Sequence, residues 1–362
     1  MISALFYISF LTNLLVVVNR IRINFLAFLS WLVLFFIYAG NIREGFSDLT
    51  HYRARYAVGK SSLYFSDHAY NFFADWFSHH SISFQVFLAC IFLFSSACFY
   101  FVAKKLHCNY NLLILLLSLF YFFYTLEVLR FFLAASVALI AHYYLSQNHR
   151  FIFIGLMFIA FLFHGSIIYF LPFVIFYRQK NTSKMLWALV FISTVLIVTN
   201  LLVGNNSSYL TKIFELLGSE ATKSRVMYYT AKSTRLGFIL YDSYYVFNLL
   251  ISINLKKIAK TVSNVPQEVT NFINLVYQHS FFSTIFLPLI MFSTAFTRYL
   301  IFTVVLNFIA IAALQPFMQQ SFIKLKNGLY IIFGVLGATC FWWYLRENVL
   351  YFYEALLPNL FN

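Results

Sequence analysis

Charge is scarce in this chain, and so are the residues that make flexible loops or reactive clusters. Only 10% of its 362 residues are Asp, Glu, Lys or Arg, where soluble globular domains average about 25%. A surface facing water cannot be covered with so little. Acids are the scarcest, 11 against 25 lysines and arginines, and they do not cluster as a metal site would require. Five prolines and 11 glycines leave no linker to divide the chain, no P-loop and no Gly-rich dinucleotide fingerprint. The four cysteines (Cys90, Cys98, Cys108 and Cys340) lack paired ligand spacing and read as small buried hydrophobes. The formal charge of +14 is punctuation between apolar runs and forms no basic face, which argues against nucleic acid as a partner.

Apolar residues make up 62% of the chain, with 48 Phe and 26 Tyr. Phe is at home against lipid and Tyr at the membrane interfaces. A spanning helix needs roughly 20 mostly apolar residues. On that measure spans are expected near 2–18, 23–40, 81–103, 110–126, 130–146, 151–164, 166–177, 185–203, 236–255, 272–292, 299–316 and 328–345. The fold expected is all-α: a polytopic integral membrane protein of about 12 transmembrane helices, one domain over residues 1–362, without internal repeats. The sixth and seventh spans share one apolar run and are tilted or partly re-entrant around His164. The first run has no basic residue before it and reads as a retained span.

Counting charge on alternate loops gives the orientation. One side holds Arg20, Arg22, Lys104, Lys105, Arg150, Arg178, Lys180, Lys184, Lys256, Lys257, Lys260, Lys324 and Lys326, against one acid, Glu268. This side is cytoplasmic by the positive-inside rule. Both termini and two longer polar stretches, about 41–80 and 204–235, then fall outside.

A few polar residues stand against this pattern, and ionisable groups at membrane depth mark function by default. Arg130 and Glu127 share a turn with almost no polar loop, and Arg298 with Tyr299 lies between two apolar runs. Both arginines are external, against the charge rule. His164 sits at an external hairpin and Asp242 near the external end of the ninth span, beside Tyr241, Tyr244 and Tyr245. Two arginines and a histidine at one depth suit an anion with several oxygens, because guanidinium binds phosphate bidentately and stays charged. Each has a plainer reading: Arg130 paired with Glu127 on one helix face, Arg298 reaching lipid headgroups, His164 bonded to backbone. In the first external stretch Asp48, Tyr52 and Tyr56 fall at i, i+4 and i+8. That spacing offers a carboxylate and rings to a sugar, or makes one face of an interfacial helix.

The segment LEVLRFFLAASVALIAHYYL, the basic turn NHR and the run ending FHGSIIYFLP together resemble the EpsG/Wzy-type membrane polysaccharide polymerases. SDLTHYRARY resembles that family's Asp-x-x-x-Tyr element, and FTRYLIF its third, C-terminal arginine element. Residue by residue the match carries Asp48, Tyr52, Arg130, His164 and Arg298. The chain departs from the pattern at Leu129 and Phe131, which flank the central arginine, and at Asp67, the acid before the third span. The resemblance implies a GT-C-like helical bundle in a bacterial inner membrane. It implies a polymerase that joins undecaprenyl-pyrophosphate-linked repeat units into O-antigen, capsule or exopolysaccharide at the external face, without a cofactor or metal. Donor and acceptor lipids, membrane lipids and a chain-length regulator are the partners it implies. Arg130 and Arg298, with Glu127, Tyr52, Tyr299 and Asp242, would bind pyrophosphate and glycan, and His164 or Asp48 would be the base. Three other readings stay open: a ligase moving finished glycan, a lipid-linked-oligosaccharide flippase, and an acyltransferase using His164 or His142.

Overall fold

The computed structural model describes residues 2–19, 21–40, 47–58, 67–118, 128–177, 182–203, 237–290 and 296–318. Among them every regular element is helical, as expected where apolar segments must satisfy their backbone internally. The helices are α1 (Ile2–Val18), α2 (Asn24–Gly40), α3 (Ser47–Val58), α4 (His68–His79), α5 (Phe84–Lys105), α6 (Tyr110–Leu116), α7 (Leu129–Ser146), α8 (Arg150–Phe163), α9 (Thr182–Val203), α10 (Gly237–Thr261), α11 (Gln267–Phe282) and α12 (Thr297–Leu314). Their positions follow the apolar runs closely. The expected twelfth span at 328–345 and the stretch 204–235 lie outside the described residues. The stretch 41–80 contains two short helices: α3, which carries the Tyr52 and Tyr56 spacing read as one face of an interfacial helix, and α4 after it.

Among the described residues, four helical stretches are long and apolar enough to cross a membrane: Phe84–Lys105, Leu129–Ser146, Gln267–Ile290 and Thr297–Phe317. Leu5–Val18, Asn24–Phe36, Arg150–Phe163, Gly165–Phe176 and Lys184–Thr199 are apolar but shorter. The chain is a membrane protein by this composition.

Tight turns join several neighbours, and they are built without glycine. Ser81, His107 and Asn148 each take a positive φ (56°, 54° and 70°) just beyond a helix end. In each, the next residue's N–H reaches back five positions: Ile82 to Phe77, Cys108 to Ala103 and His149 to Tyr144. This Schellman arrangement satisfies carbonyls that a helix end leaves open. Asn tolerates the left-handed conformation; Ser and His hold it at a cost of order 1 kcal/mol.

The contacts define two ends of the bundle. At one, Ile23 N–H donates to Asn111 Oδ1 (3.1 Å), Asn109 N–H to the Ala312 carbonyl (2.8 Å), and Gln147 Nε2 to the Glu268 carbonyl (3.3 Å). At that same end Arg150 donates to the Tyr177 carbonyl (3.4 Å). Residues 150 and 177 are therefore neighbours, and the run between them is a hairpin with His164 at its tip. Its outgoing arm, α8, has 14 residues, or ~21 Å at 1.5 Å per residue. The return is a 3-10 turn (Gly165–Phe170) followed by one helical turn (Phe173–Phe176). Both arms are shorter than the ~30 Å hydrocarbon layer.

α12 is the centre of the bundle. All of its 18 residues are buried except Arg298. Beside it, α7 and α11 bring His142 and His279 together deep in the core, both at 0% exposure and with ring centroids 4.9 Å apart. His279 Nδ1 meets the hydroxyls of Thr303 (3.2 Å) and Ser283 (3.3 Å), and Asn307 donates to Ser280 Oγ (3.1 Å).

Candidate functional site

At the end opposite the basic turns, five elements converge: α3, the start of α4, the start of α7, the hairpin tip and the start of α12. Asp67 stands immediately before α4 and is buried. One of its oxygens accepts a charged hydrogen bond from Arg130 Nη1. The other faces His164 Nδ1 (3.3 Å) and accepts from the Gly165 N–H (3.3 Å). On the far side of the imidazole, Arg298 Nη1 lies 3.0 Å from His164 Nε2.

Donor and acceptor rules fix the tautomer. A carboxylate only accepts, so His164 Nδ1 carries the proton; guanidinium only donates, so Nε2 offers its lone pair. His164 is neutral in this arrangement. The chain reads Arg130, Asp67, His164, Arg298: two cations joined through one anion and one neutral ring, with a net charge of +1. Arg130 is held further by Tyr52. Its Nε donates to the Tyr52 hydroxyl (3.3 Å), and its guanidinium carbon lies 5.3 Å from the ring centroid.

These groups line one open cleft of about 730 Å³. Its polar wall is His51, Tyr52, Arg55, Asp67, Arg130, His164, Ser166 and Arg298; its apolar wall includes Phe131, Phe161, Tyr169, Phe296 and Tyr299. Tyr299 is stiffened by stacking on Phe286 at 4.5 Å and meets Tyr169 edge-on at 5.6 Å. Burial alone would push the Asp67 carboxyl up. The hydrogen bond from His164, the Arg130 charge and the Gly165 N–H outweigh burial and hold it below the ordinary aspartate value.

Of the residues singled out in the sequence, Arg130, His164, Arg298, Tyr52 and Tyr299 meet here. Asp242 lies on α10 and is not among the cleft-lining residues. Glu127 lies outside the described residues, and Asp67 is the carboxylate found on Arg130. Asp48 falls in α3, with a side chain outside the described set. Tyr52 and Tyr56 do share a face, but it points inward. Tyr56 donates to the Ile82 carbonyl (2.6 Å) and stacks on Phe87 (5.5 Å), and Tyr52 packs on Tyr70 (5.9 Å). Tyr56 is thus committed to packing, while Tyr52 also lines the cleft.

Asp67 is the site residue that sequence reasoning passed over as a participant. Its partners are 63 and 97 positions away, so nothing within its own stretch, YFSDHAYNFF, isolates it. Among the described residues, no group of three His, Cys, Asp or Glu side chains is arranged to hold a metal ion.

Comparison with known proteins adds one positive result. A family model described as the EpsG family matches residues 2–358. Neither the curated proteins nor the solved structures give a significant match. With nearly its whole length matched, the chain belongs to the EpsG family, membrane proteins of the polysaccharide-polymerase type.

Proposed function

We propose that this protein polymerises glycan repeat units carried on undecaprenyl pyrophosphate, at the external face of a bacterial inner membrane. The reading includes a GT-C-like bundle of about 12 spans with both termini external. The observation that carries it is Arg130 and Arg298 flanking the Asp67–His164 pair in a single cleft. A diphosphate at headgroup depth is the ligand such a cleft suits. Its charge is met by arginines fixed before it arrives, and this preorganisation lowers the barrier to a leaving group that gains charge.

The transfer balances as follows. The acceptor sugar oxygen forms a bond to the donor's anomeric carbon. The bond from that carbon to the diphosphate oxygen breaks, and undecaprenyl pyrophosphate leaves with the electron pair. The acceptor's hydroxyl proton passes to His164 Nε2. Asp67 already holds Nδ1–H and stabilises the imidazolium that results, the role an aspartate takes beside a catalytic histidine. Since Arg298 Nη1 lies 3.0 Å from Nε2, a small shift of its guanidinium toward the diphosphate frees the base. Donor binding and base exposure are thus one event.

The test is complementation of a deletion strain. Wild type restores long surface glycan, whereas Arg298→Ala and Arg130→Ala, present at normal protein level, leave a single repeat unit on its lipid. Long ladders from both variants sink the reading. Unattached long chains in the deletion strain point to a ligase, and loss of all external material to a flippase.

A further inference from the structure

At the basic end of the bundle, away from the cleft, a second hollow lies between α2, α5 and α6. Its volume is about 640 Å³, within the ~300–1,000 Å³ usual for ligand sites. One face of each helix makes it. α2 gives Ala27, Trp31 and Phe35, and α6 gives Tyr110, Ile114 and Leu117. Small side chains on α5 and α2 (Ser96, Ala97, Ala103, Ala27) leave the space. The wall is almost wholly apolar, and the Ser96 hydroxyl turns back to the Phe92 carbonyl (2.6 Å), so nothing inside asks for a polar guest.

We infer that this groove binds one acyl chain of an anionic phospholipid from the leaflet on the basic side, with the phosphate held at its mouth by Lys104. Its length and the chemistry of its mouth select this occupant. Along α2 the groove runs from Asn24 to Phe35, or ~16 Å at 1.5 Å per residue. That is about half of the ~30 Å hydrocarbon layer, the depth of one leaflet. A polyprenyl tail descending from the opposite face would meet the groove's aromatic inner end, at Phe35 and Phe92, and not its mouth. The mouth is where interfacial chemistry gathers. Tyr100 and Tyr110 stack there at 5.9 Å, and the Lys104 ammonium lies 5.9 Å from the Tyr100 ring centroid. Tyrosines at headgroup depth and a lysine reaching outward are the pattern that anchors a protein to anionic lipid. Neither the cleft nor its chemistry enters this inference.

The experiment uses purified full-length protein in mild detergent, with its thermal midpoint followed as lipid is added. Phosphatidylglycerol should raise the midpoint more than phosphatidylcholine of the same chains. Lys104→Gln should weaken phosphatidylglycerol binding about fivefold, the worth of one surface lysine. Ala97→Phe, at an exposed wall position, should abolish the lipid effect while keeping the detergent-only midpoint. Equal shifts from both lipids overturn the inference. So does a phosphatidylglycerol shift that survives both substitutions. Displacement by undecaprenyl phosphate would assign the groove to the carrier tail, and a dimer dissolved by Ala97→Phe would assign it to a second copy; either result also overturns it.

Discussion

His142 lies on α7 and His164 just past the end of α8, the helix packed beside it, yet their surroundings prepare them for different work. His142 Nδ1 donates to the Ala138 carbonyl one turn earlier (2.7 Å). Phe302, Phe153 and His279 close around its ring, with centroids 5.1, 5.3 and 4.9 Å away. It has no exposure and no charged neighbour among those contacts. His164 is placed between a carboxylate and a guanidinium, at the rim of a cleft. The first histidine fills the core and fixes how α7, α11 and α12 meet; the second has both nitrogens committed to groups that a charged ligand can compete for. Burial and the charge of the partners separate a packing histidine from a chemical one. Residue type alone does not. The sealed position of His142 also argues against it as an acyltransferase base.

Substituting the two histidines tests that contrast most directly. His164→Gln should lower the polymerisation rate by about 10²–10⁴-fold, the range for loss of a general base, with an unchanged thermal midpoint. His142→Gln should leave the rate within several-fold. Rates measured on purified protein with lipid-linked repeat units decide it, and similar losses from both variants would erase the distinction.

The arginines give the next largest effect. Arg298→Ala should cost about 10²–10³-fold, as removal of one preorganised charge donor does. Arg298→Lys should recover little, because an ammonium cannot span His164 and a phosphate with a planar fork. Full activity in the lysine variant would mean that charge alone is needed, and that Arg298 does not hold Nε2 in a way that matters.

How far the sequence could foresee this depends on where each partner lies along the chain. Helix positions were legible because lipid demands long apolar runs, and among the described residues the expected spans at 2–18, 23–40, 81–103, 130–146, 151–164, 185–203, 236–255 and 299–316 coincide with helices to within a few residues. Arg130, His164 and Arg298 were legible because each opposes a rule: the arginines the charge rule, the histidine the cost of a polar group at depth. Tyr56 misled, since i, i+4 spacing gives a shared face but not the direction in which that face looks. Asp67 was hidden for a different reason. It breaks no pattern in its own stretch, and only the tertiary fold brings α4 against the hairpin tip. The groove beside α5 was hidden likewise, because Ala97 and Ser96 are unremarkable in any apolar helix until neighbouring faces leave them uncovered.

On the stability side, the core histidine should matter more than the cleft histidine. His142→Ala opens a cavity among Phe153, Phe170, Phe173 and Phe302. A loss of about 2–4 kcal/mol is expected, in the range of large-to-small core changes. His164→Ala, at a rim already open to solvent, should cost about 1 kcal/mol. Denaturant or thermal unfolding in detergent measures both, and the reverse order would contradict the assignment of core and rim.

The pH dependence of stability belongs to Asp67. Its carboxyl is held below the ordinary aspartate value in the folded protein. The folded state therefore binds the proton less readily than the unfolded chain does. The stabilisation this gives is fully present above the unfolded aspartate range, about pH 4, and is lost as pH falls through the lower folded value. Wild type should lose thermal stability more steeply than Asp67→Asn between pH 5 and the acid limit of the assay, although the variant starts lower because Arg130 keeps no carboxylate. Removing one partner of a buried ion pair costs about 3–5 kcal/mol. The lower end applies here, since the Arg130 side chain retains 20% exposure and water screens what Asp67 no longer neutralises. Parallel pH profiles for the two proteins would show that folding leaves the affinity of Asp67 for its proton unchanged. Arg130 and His164 would then not favour its carboxylate, and the charge alternation from Arg130 to Arg298 would have to be redrawn.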